Sequence, residues 1–415
     1  MATTRLPVVI HGAAGRMGRV AAGALREIAQ RRLLRVGGDV IEPVPIGVDV
    51  NRERLRQVSG EFDPGGCTAE LEDALDRAFR INRARQVYHN TVPTGIRKET
   101  LMQAVGLLDA ATAAVFMEKP LASNYAEGFA IVEALERRGF IHGVVHDMLE
   151  APGVRRALEL IPEIRPLSAH MVFGYEVGPG FSGNRDFFAQ RPDFNWTLRN
   201  AGGGIILDMS HESYLSEALF GPTERLSAVA RLLVPRRLAS DGQSIIECDV
   251  EDFAALRREH TSGLVNTSIW SWYRRVNSEF GPLEVAVEGE RGSIVFGLYG
   301  LKIQRQESGP AVRWQRSVIG EVIDWRGHWE YEEVPARNPF VAEWCKFLKC
   351  AVTGEKYPLD AVHALNILGE VEAFYESAAA DGQPVAAGQL LRYPQPPPDG
   401  WKPERLQGKL RHAGA

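Results

Sequence analysis

Residues 8–18, Val8-Val9-Ile10-His11-Gly12-Ala13-Ala14-Gly15-Arg16-Met17-Gly18, restrict the chain more than any other segment. A continuous apolar run leads into three glycines and then an alanine-rich stretch, 19–31. This reads as a buried strand, a tight turn and a helix. Glycine permits the turn's backbone geometry and lets another group approach the main chain closely. The first N–H groups of a helix have no partner inside it, and the helix dipole favours negative charge there. The turn is thus a candidate cradle for a pyrophosphate, with Gly12, Ala14, Gly15, Arg16 and Met17 facing it. The Gly-x-x-Gly-x-x-Gly spacing is looser than Gly-x-Gly-x-x-Gly, and the plain alternative is an ordinary strand–helix turn.

The chain beyond residue 31 supports the first reading. An apolar run at 44–48 ends in Asp49, and 32–43 reads as an inserted loop. Helix-like and strand-like runs then alternate: 71–80 helix, 86–88 strand, 96–107 helix, 113–117 strand, 124–138 helix and 140–145 strand. Such alternation predicts parallel βαβ units, an α/β Rossmann-type domain over residues 1–147. After about residue 147 strand signals dominate. Runs 251–260 and 264–273 flank a Thr-Ser-Gly turn as a hairpin, and 283–288, 293–298 and 301–306 continue a meander. A further strand region is expected at 312–325. Two helices, 340–352 and 359–379, are expected to close this second domain, 148–385. The proline-rich end, 386–415, reads as an extended tail.

The 415 residues carry a net charge of −5, against the basic face that nucleic-acid binding normally requires. No apolar run reaches the ~18 residues of a membrane span, and no secretory leader is visible. Cys67, Cys248, Cys345 and Cys350 form no Cys-x-x-Cys pair, so a reducing cytoplasm is expected and a metal site is not.

Three constellations carry chemistry. Asp49, at the end of the second apolar run, suits the adenosine ribose hydroxyls and repels a 2′-phosphate, which favours NAD over NADP. It lies about thirty positions beyond Gly18, further than the usual ~20. Arg52 and Arg54 nearby keep NADP open. Glu118-Lys119-Pro120 follows a strand end, where open parallel sheets bind ligands, so Lys119 is a candidate for holding a reacting oxygen. Asn90 and Thr91, just past the 86–88 run, join Glu118 and Lys119 in the cofactor set. Gly202-Gly203-Gly204 then precedes Asp208, His211 and Tyr214, whose spacing by three can line one helical face. The glycines admit close approach by a ligand or another strand. His211 suits proton transfer near neutral pH, and Asp208 suits substrate binding or orientation, with helix N-capping as its plainer role.

Together these motifs resemble the Gfo/Idh/MocA family (glucose–fructose oxidoreductase, inositol dehydrogenase), from Val8 to about Ala380. The resemblance implies an N-terminal Rossmann domain and a C-terminal α/β domain with a large, open, mostly antiparallel sheet. It implies NAD(P)-dependent hydride transfer to or from a secondary alcohol of a sugar, cyclitol or aminocyclitol. Lys119, Asp208 and His211 then form the catalytic set, with a Lys119–Pro120 bond that is often cis in the family. Tyr175, Trp196, Tyr214 and His146 are expected to line the substrate site. Trp196 belongs to an aromatic segment, 175–200, that also holds Phe187 and Phe188. Relatives of other kinds keep two alternatives open: a redox-neutral eliminase, hydrolase or epimerase using bound NAD transiently, and a non-catalytic dinucleotide-binding regulator. An open sheet face implies a homodimer or homotetramer.

Overall fold

A computed structural model describes residues 2–174, 193–274, 278–308 and 328–400, and the backbone of Arg411–His412. The first half alternates strand and helix. In order come β1 (Thr3–His11), α1 (Arg16–Arg31), β2 (Arg35–Val36), β3 (Asp39–Val48), α2 (Arg52–Val58), β4 (Cys67–Thr68), α3 (Leu71–Ile81), β5 (Gln86–Asn90), α4 (Thr94–Leu107), β6 (Ala113–Met117), α5 (Tyr125–Arg138) and β7 (Ile141–Val144). The sheet runs β2-β3-β1-β5-β6-β7, with β4 also on β3; all pairs are parallel except β2 with β3. Strands buried on both faces need apolar side chains on both, which is why Val8, Val9 and Ile10 are continuous.

Two expectations change here. The segment read as an inserted loop is a hairpin: Arg35 pairs Val40 and Val36 pairs Asp39. Gly37 and Gly38, both at positive φ, make its turn. β3 is therefore twice the expected length and pairs with β1 from Thr3–Val40 to His11–Val48. The added hairpin accounts for the long interval between Gly18 and Asp49.

The second half holds α6 (Pro152–Ile164), β8 (Pro166–Gly174), α7 (Leu198–Ala201), α8 (Ile205–Asp208), α9 (His211–Phe220), β9 (Thr223–Leu232), β10 (Arg236–Leu238), β11 (Ile245–Glu247), β12 (Phe253–His260), β13 (Val265–Ser271), β14 (Leu283–Gly289), β15 (Gly292–Phe296), β16 (Leu301–Arg305), β17 (Glu330–Glu332), α10 (Pro339–Thr353), α11 (Ala361–Ala379), β18 (Val385–Ala386) and β19 (Arg411–His412). Among the described residues ten strands form one sheet, β17-β16-β15-β14-β8-β13-β12-β9-β18 with β19 also on β9. Apart from the parallel β13–β8 and β19–β9 pairs, it is antiparallel. The expected hairpin is present, with Phe253 opposite Ser271 and Glu259 opposite Val265. The strand expected at 312–325 lies outside the described residues.

The helix over Pro339–Thr353 does not close the second domain. Val341, Trp344, Phe347 and Leu348 pack into the core of the first sheet, with Phe347 stacked on Phe116 at 4.2 Å. α11 instead spans the two halves, since Leu365 and Leu368 meet Gly128 of α5 while Ser377 Oγ accepts Ala228 N–H of β9. No helix among the described residues is long and apolar enough to cross a membrane. All four cysteines are free.

Candidate active site

The glycine turn fits an anion. Gly12 has φ +89°, and a Cβ there would lie 2.7 Å from Thr91 Oγ1. A Cβ on Gly18 would lie 2.4 Å from Gly12 O, so this glycine lets α1 sit against the turn. The N-terminus of α1 has no side-chain cap and no acidic residue in its first turn. Its leading N–H groups, on the half-exposed to exposed Arg16 and Met17, are therefore available to a pyrophosphate, while those of Ala14 and Gly15 bond to Asp49 Oδ2 and Gly12 O. Asp49 stands beside the same turn: Oδ2 accepts Ala14 N–H at 3.0 Å and Oδ1 accepts Asn51 N–H at 2.9 Å. Across the turn, Thr91 Oγ1 donates to His11 O at 2.8 Å, holding β1 against the end of β5. Asn90 is buried and committed to protein: Nδ2 donates to Tyr88 Oη and Thr100 Oγ1, both at 3.1 Å. These residues fit a dinucleotide.

Lys119 and Asp208, 89 positions apart, meet between the two halves. Lys119 Nζ donates to Asp208 O at 2.8 Å and lies 3.4 Å from Asp208 Oδ1. A helix break makes this bond available. α8 ends at Asp208, Met209 has ψ 38°, and Glu212 N–H turns to Met209 O, so the Asp208 carbonyl faces the lysine. The break also corrects the single helical face expected for Asp208, His211 and Tyr214, and Asp208 is not an N-cap. The Lys119–Pro120 bond is cis.

The three glycines before α8 meet protein, not ligand. A Cβ on Gly202 would strike Ser123, just past the Lys119–Pro120 bond; one on Gly203 would strike Tyr375 Oη. One on Gly204 would lie 2.1 Å from Glu251 O. The Glu251 carboxylate accepts Gly204 N–H at 3.2 Å, Ile206 N–H at 3.1 Å and Tyr375 O–H at 2.6 Å. It thus clamps the segment that delivers Asp208.

His211 and Tyr214 do share a face. His211 Nδ1 is hydrogen-bonded to the Tyr214 hydroxyl. Tyr214 is 1% exposed and His211 5% exposed, so the pair is buried and Tyr214 is not part of an open substrate wall. His146, expected to line the pocket, is 2% exposed; its ring packs on Tyr214 at 4.4 Å and its Nδ1–H donates to Val144 O at 2.8 Å. Trp196 is likewise core. Its ring meets Trp272 edge-on at 5.4 Å and lies 4.2 Å below the Arg237 guanidinium. Tyr175, with Phe187 and Phe188, lies outside the described residues.

Glu118 is buried beneath Lys119. Burial pushes its carboxyl up to about 7, while the neighbouring Arg97 works to lower it. Arg97 is itself buried and donates to the carbonyls of Glu118 and Pro120, bracing the loop that carries Lys119. Asp147, next to His146, also lies near this lysine. Burial raises it to about 6 and the Lys119 charge opposes that rise, so a second carboxyl attends the lysine. Elsewhere, Glu136, His142 and Asp360 bring donor atoms within 4.8 Å of one another. These groups already satisfy each other and the backbone: His142 Nε2–H donates to Glu136 at 2.8 Å, Nδ1 accepts Ala361 N–H at 3.1 Å, and Asp360 pairs with Lys356 at 2.7 Å.

The buried acids set a pH dependence. Glu118 and Glu251 titrate near about 7 and Glu372 near about 8, against 4.5 ordinarily, all through burial. The folded chain then holds more protons than the unfolded chain between these limits, and stability falls as pH rises. His89 and His146, pushed by burial to about 3, oppose this trend below their ordinary 6.5, where the unfolded chain takes up protons. Between pH 6.5 and about pH 8 the carboxyls dominate, so Tm is expected to drop by a few degrees. A Tm that rises across this interval in calorimetry would contradict the burial of these acids.

No family model matches the chain. Similarity to individual proteins is extensive. A D-xylose dehydrogenase from Paenarthrobacter nicotinovorans is 27% identical over 375 residues, 86% of this chain and 90% of its own. A levoglucosan dehydrogenase solved with NADH and L-sorbose superposes with a TM-score of 0.74 at 19% identity, covering 92% of this chain and 99% of that one. An aldose-aldose oxidoreductase from Caulobacter crescentus, complexed with glycerol, gives 0.66 at 16% identity over 92% of this chain and 99% of its own. The solved structures share the two-sheet fold, and the sequence relationship covers most of the chain. The chain is thus similar over most of its length to a D-xylose dehydrogenase, and it has the fold of the levoglucosan dehydrogenase.

Proposed function

We propose that this protein transfers hydride reversibly between NAD and a secondary carbinol of a sugar or cyclitol, with Lys119, Asp208 and His211 as its reacting set. The observation that carries the reading is the Lys119–Asp208 bond, which brings an ammonium from the first half to the segment that opens onto His211. Gly12, Ala14, Gly15, Arg16 and Met17 would hold the pyrophosphate and Asp49 the adenosine ribose, with its negative charge disfavouring a 2′-phosphate. The nicotinamide supplies the hydride acceptor or donor when bound. Lys119 Nζ donates to the reacting oxygen and favours its anionic form. His211 takes the hydroxyl proton during oxidation and returns it during reduction. Tyr214, hydrogen-bonded to Nδ1, holds the imidazole. Asp208 keeps Lys119 oriented and accepts a neighbouring substrate hydroxyl.

Absorbance at 340 nm tests this directly. Protein given NAD⁺ or NADP⁺ and a panel holding D-xylose, levoglucosan and a cyclitol should reduce NAD⁺ with at least one of them. Conversion of a sugar with no net absorbance change, by protein that retains nucleotide on purification, would favour transient use of the cofactor instead. Failure to bind nucleotide at all would overturn the reading.

The outer face of the ten-stranded sheet suits a second copy. Ala255 stands between Val229 and Ile269 across three strands, and both flanking side chains are more than a third exposed. Light scattering at micromolar concentration is expected to give a dimer or tetramer; monomer alone would refute this.

A further inference from the structure

Beneath α9 lies a polar network that the proposed reaction does not use directly. Period-two alternation turns Ala254, Leu256, Arg258 and His260 of β12 inward, which places an arginine in the buried layer between the sheet and α9. Arg258 is 1% exposed. Its guanidinium pairs with Glu212 at 2.6 Å and Glu370 at 2.5 Å, and donates to Ser213 Oγ at 3.0 Å and to Thr223 Oγ1. The other Glu212 oxygen accepts from Ser216 Oγ at 2.8 Å, Ser268 Oγ at 3.1 Å and Asn266 Nδ2 at 3.2 Å. Asn266 is the cross-strand partner of Arg258 on β13. Arg392 completes the set by pairing with Glu370 at 2.6 Å, so two cations meet two carboxylates.

Such a cluster is a poor source of stability. Desolvating the ions costs about what their attraction returns, and well-packed apolar replacements are often neutral or better. What ions and hydrogen bonds supply is direction. Apolar contact lets a helix roll on a sheet, whereas Glu212 and Ser213 bonded to the Arg258 fork, with Glu212 also bonded to Asn266 and Ser268, forbid rolling. At 3.6 residues per turn, positions 212, 213 and 216 share one arc of α9, and 211 and 214 fall on the opposite side. The arc facing the sheet is thus bolted to β12, β13 and α11, and the other arc carries His211.

We propose that the Glu212–Arg258–Glu370 network fixes the roll of α9 and thereby the position of the His211 imidazole, making Glu212 and Arg258 positioning residues for proton transfer. The inference rests on the role given to His211 above. A roll of ~10° moves a group ~6 Å from the helix axis by ~1 Å, and a ~1 Å misplacement costs ~10²-fold in rate.

A double-mutant cycle tests it. Glu212→Leu with Arg258→Met removes the bolt and leaves Glu370 paired with Arg392. This variant is expected to stay folded with a lowered Tm, because Ser213, Ser216, Thr223, Asn266 and Ser268 each lose a buried partner, to keep its NADH Kd, to hold KM for the sugar within about 3-fold, and to lose ~10–100-fold in kcat. In a His211→Ala background the same pair should cost under about 2-fold, because the residue it positions is gone. Wild-type kcat in the folded double variant overturns the proposal, as does an undiminished loss in the His211→Ala background. Should the pair fail to fold, Arg258→Lys keeps the charge and loses the fork. A kcat decrease of ~10-fold at unchanged KM, absent in the His211→Ala background, is then expected, and unchanged kcat overturns the proposal. If His211→Ala alone keeps wild-type kcat, the proposed function fails; if only the network variants are silent, this inference fails by itself.

Discussion

Lys119→Ala and His211→Ala are each expected to lower kcat by ~10²–10⁴-fold while leaving NADH affinity within about 3-fold. The two losses have different causes and different signatures. Without the ammonium, the reacting oxygen carries its developing charge unassisted, and the Asp208 carboxylate beside it loses a cation 3.4 Å away. The Lys119 variant should therefore show reduced turnover at every pH. Without the imidazole, the hydroxyl proton must leave to water, so the His211 variant should recover partly as pH rises and bulk hydroxide takes over. Steady-state kinetics from about pH 6 to about pH 10 separate these cases. Near-normal turnover in both variants would remove the mechanism and leave a nucleotide-binding fold.

Asp49→Asn is expected to weaken NADH binding by ~10–100-fold and to bring NADPH close to parity. Two charge-assisted hydrogen bonds to ribose hydroxyls become neutral ones, at about 1–3 kcal/mol in total. The same change removes the charge that opposes a 2′-phosphate, so affinity for the two nucleotides moves in opposite directions. Asparagine keeps a carbonyl oxygen for Ala14 N–H but loses the acceptor for Asn51 N–H, so an unchanged Tm is the control that separates the charge from local anchoring. Titration of protein fluorescence with each nucleotide measures both changes. An unaltered NADH:NADPH ratio would show that Asp49 only ties the turn to β3.

Legibility in the sequence divides along physical lines. The strand–glycine–helix unit at residues 8–31 was readable because its signals are local: continuous apolar side chains, then residues that tolerate positive φ or close contact, then good helix formers. The β12–β13 hairpin was readable from its alternation and its turn. That alternation also placed Arg258 on the inward face, a signal that went unused. α6 went unnoticed although Pro152 sits at its first turn, where proline favours a helix start. The β2–β3 hairpin is marked locally only by Gly37-Gly38, and the length of β3 comes from pairing of Val40–Pro43 with Thr3–Leu6, some forty positions away.

The site shows the same division. Residue type and spacing singled out Gly12, Asp49, Lys119, Asp208 and His211, because cradling an anion, binding hydroxyls and moving a proton each demand particular groups. Burial reassigned Tyr214, His146 and Trp196, since an aromatic ring in the sequence is equally suited to a pocket wall and to a core.

By itself the sequence determined two sheets, a strand–glycine–helix turn suited to an anion and the kinds of groups available for chemistry, because periodicity and turn composition act over a few neighbouring residues. The tertiary structure alone decided that α10 covers the first sheet, that Gly202, Gly203 and Gly204 pack on side chains, and that Lys119 reaches Asp208. A pattern specifies that a face will be buried; what buries it depends on the closing of the whole chain.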